Sequence, residues 1–418
     1  MKVLIIGDGK SGRAAFRLAE LLHFDPITVT DGTVSDPGDA IKNSDIVITS
    51  PGVNPERSGL LRAALAANLP VLSEMEFAVR HCRCRTLGIT GTNGKTTTTE
   101  LTATLLRAIG IPACEAGNIG VPFSDIVADI LCGIRPPDTL AVLEVSSFQL
   151  EHCASFAPVA AVILNIESDH LDRYNNDMKL YAAAKEKIFT HVPAGNRIYG
   201  LSMNRVFNQH VHWANNFLFF DNKKLLSLSS LKLKGVHNLE NIAAALELVS
   251  RVVPPEALFR PELLQALQSF APGRHRLEEI PGTGAIRCIN DSKATNPAAV
   301  IAAVNALELP KERCIHIILG GLDKAMDFSS LNEIAPYIRA AYLIGEAKDK
   351  IFDAIGGTIF CRKFDSFDTA VTTAINAAVD HEIVLLSPAC ASMDLFKNYE
   401  ERGNRFCELA AMLLKSGR

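Results

Sequence analysis

Apolar residues in this chain fall in short, near-continuous runs separated by longer stretches where they recur every third or fourth position. The first pattern predicts buried parallel strands and the second predicts helices packed on them. Up to about residue 76 the runs at 3–6, 27–30, 45–49 and 70–72 read as strands of one sheet. From about 77 to 272, strands are expected at 86–90, 140–145 and 159–166, with helices over 97–106, 177–191 and 239–252. The stretch 196–234 reads as irregular, with short strand-like pieces. After Pro272-Gly273, strand signals return at 285–289, 314–319, 341–344, 358–361 and 383–386, with helical patterns between them. The pattern predicts an α/β chain of three domains, 1–76, 77–272 and 273–418, each an open, mostly parallel sheet with helices.

The turns between these elements carry the chemistry. Gly91-Thr92-Asn93-Gly94-Lys95-Thr96 follows a short strand and opens a helix. Such a loop lets backbone N–H groups close on phosphate oxygens at a helix N-terminus. Lys95 can reach the outer phosphates, and the Thr96 hydroxyl can ligate Mg²⁺. Ile89 stands where the usual phosphate loop begins with glycine, and the glycines here are Gly88 and Gly91. Gly7-Asp8-Gly9-Lys10-Ser11-Gly12, with Asp31 after the next strand, is a dinucleotide fingerprint. Its physics is less specific, because such a turn binds any pyrophosphate. A third strand ends in Ser50-Pro51-Gly52, on the same sheet edge.

Glu144 ends an apolar strand downstream of the phosphate loop, where a carboxylate can hold the magnesium of ATP. His170 and Lys185, taken alone, read equally as a capping histidine and a solvated helix lysine. Three strand ends of the last segment present Lys, Ser, Thr and Asp in 290–297, 320–324 and 387–399, an edge suited to anionic substrates.

Composition narrows the class. The chain has 418 residues, a net charge of −4 and a single Trp213, so neither a basic footprint nor a stacking platform for nucleic acid is present. Ten dispersed cysteines, with only Cys82 and Cys84 close together, read as reduced thiols. A strand begins at once after Met1, no signal peptide is recognised, and no apolar run reaches membrane-spanning length. A cytoplasmic protein without membrane insertion is expected.

Taken together, these motifs resemble the Mur ligases of bacterial peptidoglycan synthesis, from end to end of the chain. The Gly91–Thr96 loop and the run from Asn165 to His170 resemble all ATP-dependent Mur and folylpolyglutamate ligases. The runs 144–151, 290–297 and 387–399 resemble the branch that adds D-glutamate. The resemblance implies a Rossmann-like first domain, a P-loop ATPase-like central domain and a Rossmann-like C-terminal domain. It also implies that ATP phosphorylates the carboxylate of UDP-N-acetylmuramoyl-L-alanine and that D-glutamate then displaces phosphate. Lys95, His170 and Lys185 would be catalytic, with two magnesium ions held by Thr96, Glu144, His170 and Lys185, the last as a carbamate.

By the same resemblance ATP lies on Gly91, Thr92, Asn93, Gly94, Lys95, Thr96, Asn238, Asn241, Arg276 and Asp291. The UDP substrate lies on Gly9, Lys10, Ser11, Asp31, Ser50, Gly52, Asn118 and His170. D-glutamate lies on Thr295, Lys324, Ser392, Met393 and Tyr399. A monomer is expected. Relatives often carry an Asn-x-Asp-Asp turn after the Lys185 helix, where this chain has Ile198-Tyr199-Gly200-Leu201-Ser202-Met203.

Two other readings compete on the residues alone. An NAD-dependent oxidoreductase would use the first fingerprint and leave the phosphate loop without a task. A non-catalytic UDP-sugar-binding protein would not need Lys95, Glu144 and His170 as a set.

Overall fold

The computed structural model describes residues 1–33, 37–54, 57–203, 210–281 and 285–415. They divide into two compact units, one drawn from the spans 1–166, 178–232 and 240–270 and the other from 167–177, 233–239 and 271–418.

The first unit contains two parallel sheets and one small antiparallel sheet. Strands β1 (Lys2–Ile6), β2 (Asp25–Val29), β3 (Ile46–Thr49) and β4 (Val71–Ser73) pair in the order β2-β1-β3-β4. Strands β5 (Thr86–Thr90), β6 (Ala113–Gly117), β7 (Leu140–Glu144), β8 (Ala160–Ile163) and β9 (Arg197–Tyr199) pair in parallel in the order β6-β7-β5-β8-β9. Every residue of β5, β7 and β8 is buried. That is why these strands read as continuous apolar runs rather than alternating ones.

The two parallel sheets share one core, in which Val3, Ile5 and Leu18 cluster with Phe77, Phe123, Leu143 and Ile163. Helix Glu74–His81 joins them. It is capped by the Ser73 hydroxyl, which accepts from Glu76 N–H. The Glu74 carboxylate is fully buried and accepts the Ser124 N–H at 2.7 Å. Burial pushes its pKa up to about 7.

The stretch 196–234 is more ordered than its sequence pattern predicts. Beyond β9, strands β10 (Val211–Ala214), β11 (Phe217–Phe220) and β12 (Lys223–Ser227) form an antiparallel meander. Its turns are Asn215-Asn216 and Asp221-Asn222, all four residues with positive φ. Two-residue loops of Asn and Asp with positive φ are favoured hairpin turns, so this signal was present in the sequence. Residues 204–209 lie outside the described chain. β6 is a further strand absent from the expectation, because Cys114-Glu115-Ala116-Gly117 has no β-branched run.

The second unit holds β13 (Glu278–Glu279), β14 (Arg287–Asn290), β15 (Ile315–Gly320), β16 (Ile338–Ile344), β17 (Cys361–Lys363) and β18 (Ile383–Leu386). They pair in the order β13-β14-β18-β15-β16-β17, all parallel except β13 on β14. Val300, Val304 and Ile351 pack with one face, and Phe367, Val371 and Phe406 with the other. The strand expected at 358–361 forms later, at Cys361–Lys363, because residues 356–358 are still turning out of helix Lys348–Ile355.

Candidate active site

The phosphate loop stands where β5 ends and helix Lys95–Ala108 begins. Gly94 caps that helix with φ +83°, and a Cβ there would lie 2.1 Å from Asn241 Oδ1. Only glycine fits both the backbone and the space. Asn165, just beyond β8, clamps the loop from beside it. Its Oδ1 accepts Thr92 N–H at 3.1 Å and Asn93 N–H at 2.8 Å, and its Nδ2 donates to Asn93 O at 3.2 Å. The sequence reading gave Asn165 no separate role. Its signals were an amide at the end of the strand that neighbours the loop strand and its place at the head of the Asn165-to-His170 run.

Three of the expected side chains meet at this edge. Lys95 Nζ donates to Gly91 O at 2.8 Å and to Thr92 O at 2.7 Å. Lys185, 2% exposed on helix Met178–Glu186, also donates to Gly91 O at 2.8 Å and lies over the Tyr181 ring. Two amines therefore converge on one carbonyl oxygen. Glu144, in register with Ile89 of β5, is buried, and its Oε1 accepts Asn118 Nδ2 at 2.9 Å. Its Oε2 has no hydrogen-bond partner among the described residues. A buried carboxylate oxygen left unsatisfied is costly, and a cation is the ligand that would satisfy it. Thr96 is buried at the start of the helix. Asn241 accepts the Thr98 hydroxyl at 3.4 Å.

The N-terminal fingerprint is built as its glycines predict. Gly7 has φ +111°, and a Cβ on Gly12 would lie 1.8 Å from Gly7 O, so helix and strand touch directly. Gly9 caps helix Lys10–Leu21, which starts with Lys10 and Ser11. Asp8 is exposed, which removes the cost of an acid inside this turn. Asp31 Oδ1 accepts Leu60 N–H at 3.0 Å, so the fingerprint acid also ties down the start of helix Gly59–Ala66. Ser50 Oγ is buried without a partner among the described residues, and Gly52 faces open space. Lys10, Arg13, Arg17, Val121, Pro122 and Asp125 line a cleft of about 340 Å³ beside this helix.

The second unit gathers another set of expected residues. His170 has φ +54° and follows Asp169, whose Oδ1 accepts Lys324 Nζ at 3.3 Å. Asn238 lies in the first turn of helix Val236–Ser250, and its Nδ2 donates to Lys234 O at 2.7 Å. Asp291 is buried, and it accepts the Ser387 hydroxyl at 2.7 Å and Leu277 N–H at 3.2 Å. Burial raises its pKa to about 7. Arg276 lies close enough to oppose that shift.

Thr295 is half-buried, Ser392 buried and Met393 exposed. Tyr399 accepts Lys293 Nζ at 3.2 Å through its hydroxyl and the Ser292 hydroxyl at 2.8 Å through its carbonyl. Gly321, with φ +144°, lets the 387–394 run approach the end of β15, since a Cβ would lie 2.2 Å from Ala391 O.

Two neighbours of this edge had no separate role in the sequence reading, Asn290 although it opens the 290–297 run, and Arg402. Asn290 Nδ2 donates to His275 Nδ1 at 2.8 Å. Arg402 is 1% exposed and donates to Ser292 Oγ, Ser292 O and Cys390 O at 3.0, 2.8 and 3.1 Å. Burial lowers its pKa to about 10. An arginine in an amphipathic C-terminal helix gives no warning that it faces inward.

Among the described residues no cluster of three or more His, Cys, Asp or Glu could hold a metal, and no helix is long and apolar enough to cross a membrane. An oxygen-rich magnesium site that shares its ligands with phosphate would not need such a cluster.

The chain is similar to known proteins along nearly its whole length. Residues 89–225 match the Mur ligase middle domain, and 275–390 match the Mur ligase glutamate ligase domain. The chain is 37% identical to a UDP-N-acetylmuramoylalanine--D-glutamate ligase of Acidobacterium capsulatum, covering 98% of this chain and 95% of that one. It is 34% identical to the ligase of the same name from Salinibacter ruber, covering 99% and 98%. Its fold resembles that of a MurF ligase from Thermotoga maritima in complex with ADP, with a TM-score of 0.59 at 17% identity, covering 100% and 95%.

Proposed function

The chain belongs to the Mur ligase family, and from that premise we propose that it joins D-glutamate to UDP-N-acetylmuramoyl-L-alanine with hydrolysis of ATP to ADP and phosphate. The observation that supports this most is the meeting of Lys95, Lys185 and Glu144 around the Gly91–Thr96 loop. The names carried by the relatives support the choice of amino acid. An ADP-bound MurF neighbour supports ATP as the phosphoryl donor.

In this reading segment 1–76 holds the UDP-sugar, 77–272 holds ATP and 273–418 holds the amino acid. The alanyl carboxylate attacks the γ-phosphorus, ADP leaves, and an acyl phosphate forms. The neutral amine of D-glutamate then adds to the acyl carbon, and the tetrahedral intermediate expels phosphate and a proton. Activation is required because a carboxylate has no leaving group for an amine to displace. Lys95 leaves its loop carbonyls to take the charge that develops on the transferred phosphoryl group. The N–H groups of Gly91 to Thr96 orient the phosphates at the helix N-terminus.

Thr96, Glu144, His170 and Lys185 would hold two Mg²⁺, which when bound neutralises charge on the phosphates and the attacking carboxylate. The unsatisfied Glu144 Oε2 fits such a role. Lys185 acts as a carbamate. Two ammonium groups on Gly91 O repel each other, and carbamylation of Lys185 exchanges that repulsion for attraction while adding two oxygen ligands. Asn238, Asn241, Arg276 and Asp291 hold the rest of ATP. Gly9, Lys10, Ser11, Asp31, Ser50, Gly52, Asn118 and His170 hold the UDP substrate. Thr295, Lys324, Ser392, Met393 and Tyr399 hold D-glutamate. The protein works as a cytoplasmic monomer.

The deciding experiment is ATP-dependent phosphate release with a panel of amino acids. Release that requires both UDP-N-acetylmuramoyl-L-alanine and D-glutamate is expected. Release with another amino acid in preference, or micromolar NAD binding without UDP-sugar binding, overturns the reading. Lys185→Ala is expected to be nearly inactive, with part of the rate restored by a small carboxylic acid. Full activity in Lys185→Arg would exclude the carbamate.

A further inference from the structure

Cys82 and Cys84 lie in the connector between helix Glu74–His81 and β5, the strand that leads into the phosphate loop. Their sulfurs are 2.9 Å apart, closer than any other feature of the ligase reading requires. The Cys84 N–H donates to Cys82 Sγ at 3.2 Å. Both side chains are partly exposed, so a small reagent can reach them. The helix has ended at Cys82, whose φ of −84° and ψ of 137° are extended. Extended backbone turns alternate side chains to the same side, which is what brings residues two apart together.

We propose that Cys82 and Cys84 are a reversible dithiol–disulfide site whose co-substrate is a low-molecular-weight disulfide. The two sulfurs are not equivalent. Cys82 accepts the Cys84 N–H, which favours its thiolate, and either thiol can donate across the short contact between the two sulfurs. The contact between the sulfurs holds the Cys82 thiol below its ordinary value and pushes that of Cys84 up. Cys82 is therefore the attacking sulfur and Cys84 the resolving one.

The Cys82 thiolate attacks one sulfur of the small disulfide, and one small thiolate leaves. That thiolate takes up the proton of the Cys84 thiol. Cys84 then attacks Cys82 Sγ, forming the protein disulfide and expelling the second small thiolate, which is protonated by water. Two electrons pass from the protein to the reagent, and two small thiols are released. A ring spanning only three residues gains little from loop-closure entropy, so the bond is of the labile class that a thiol pool reverses. Arg83 and Arg85 flank Cys84 in sequence and favour an anionic reagent such as glutathione disulfide, while Arg80 is paired with Glu76.

Arg83 makes the test direct, because trypsin cuts after Arg80, Arg83 and Arg85. Peptides 81–83 and 84–85 then stay together only through the disulfide. The full-length reduced protein is equilibrated with glutathione at graded ratios of disulfide to thiol, quenched by acid and alkylation, and mapped by mass spectrometry. The linked pair is expected to appear as the ratio rises and to vanish on return to thiol. Cys84→Ser is expected to accumulate a stable glutathione adduct on Cys82. Cys82→Ser is expected to modify Cys84 at a rate lower by about tenfold or more. No linked pair at any ratio, or equal adduct rates in the two variants, overturns the proposal. Substrate-dependent phosphate release by the reduced serine variants is read in parallel. Its presence shows that both variants are folded and keeps this test separate from that of the ligase reading.

Discussion

The phosphate loop of the five-stranded sheet and the strand-end edge of the six-stranded sheet handle positive charge in opposite ways. At the loop, Lys95 is paired with carbonyls three and four residues before it, and the structure it needs is almost entirely local. At the other edge, Arg402 reaches back to Ser292 and Cys390 and is shielded almost completely from water. A cation that rests on neighbouring carbonyls can leave them for a ligand at small cost. A cation sealed inside the protein, holding two distant segments by their backbone oxygens, is part of the fold. The first arrangement is a tool and the second is a frame.

The sharpest way to break this contrast is Lys95→Ala. Turnover should fall by several kcal/mol in transition-state stabilisation, about a thousandfold or more, while UDP-substrate affinity and the unfolding midpoint stay nearly unchanged. Phosphate release, calorimetry and urea unfolding check the three parts. A large loss of stability would make Lys95 part of the frame.

Asp291 gives the next largest effect, and it belongs to the frame. Its pKa rises from 3.8 to about 7 because the carboxyl is buried. The folded state therefore binds more protons than the unfolded state between those values, and this group's stabilising contribution, complete below pH 3.8, is lost as pH rises to 7. The difference should reach about 4 kcal/mol. Asp291→Asn resembles the protonated form and should remove that slope. Parallel unfolding curves of both proteins from pH 4 to 8 would show the mechanism to be wrong.

Arg402→Ala should cost about 3 kcal/mol of stability, from a cavity and from stranded oxygens of Ser292 and Cys390. The measurement is the urea midpoint. An unchanged midpoint would show that Arg402 is no frame.

Asn165→Ala sharpens the comparison from the loop side. It removes the acceptor of Thr92 and Asn93 N–H groups, but Thr92 N–H keeps Asn165 O, and the loop is partly open to water. A loss of about 1–2 kcal/mol in stability is expected. The KM for ATP should rise, with that for D-glutamate unchanged. A rise in both would separate Asn165 from the phosphate loop.

How much was legible beforehand follows the same division. The central strands β5, β7, β8, β15 and β18 were readable because each is buried on two faces and is therefore a near-continuous apolar run, whereas β6, β9 and β17 are partly exposed and were missed or misplaced. The Gly91–Thr96 loop and the Gly7–Gly12 turn were readable as turns because each is built from contiguous residues between a strand and a helix. The 211–227 meander could have been read from Asn215-Asn216 and Asp221-Asn222, but its strands are short and half-exposed, and the apolar pattern is weak.

By itself the sequence determined the α/β class and the two glycine turns, since each depends on short spacings along the chain. Only the tertiary structure decided that Lys95 and Lys185 share Gly91 O, that Asn165 clamps the loop, that Asp31 also caps a helix and that Arg402 is buried. The contacts of Asp31 with Leu60, Asn165 with Asn93, Lys185 with Gly91 and Arg402 with Ser292 join residues 29 to 110 positions apart. Periodicity carries no information over such distances, because it reports which face of an element is buried and not which element covers it.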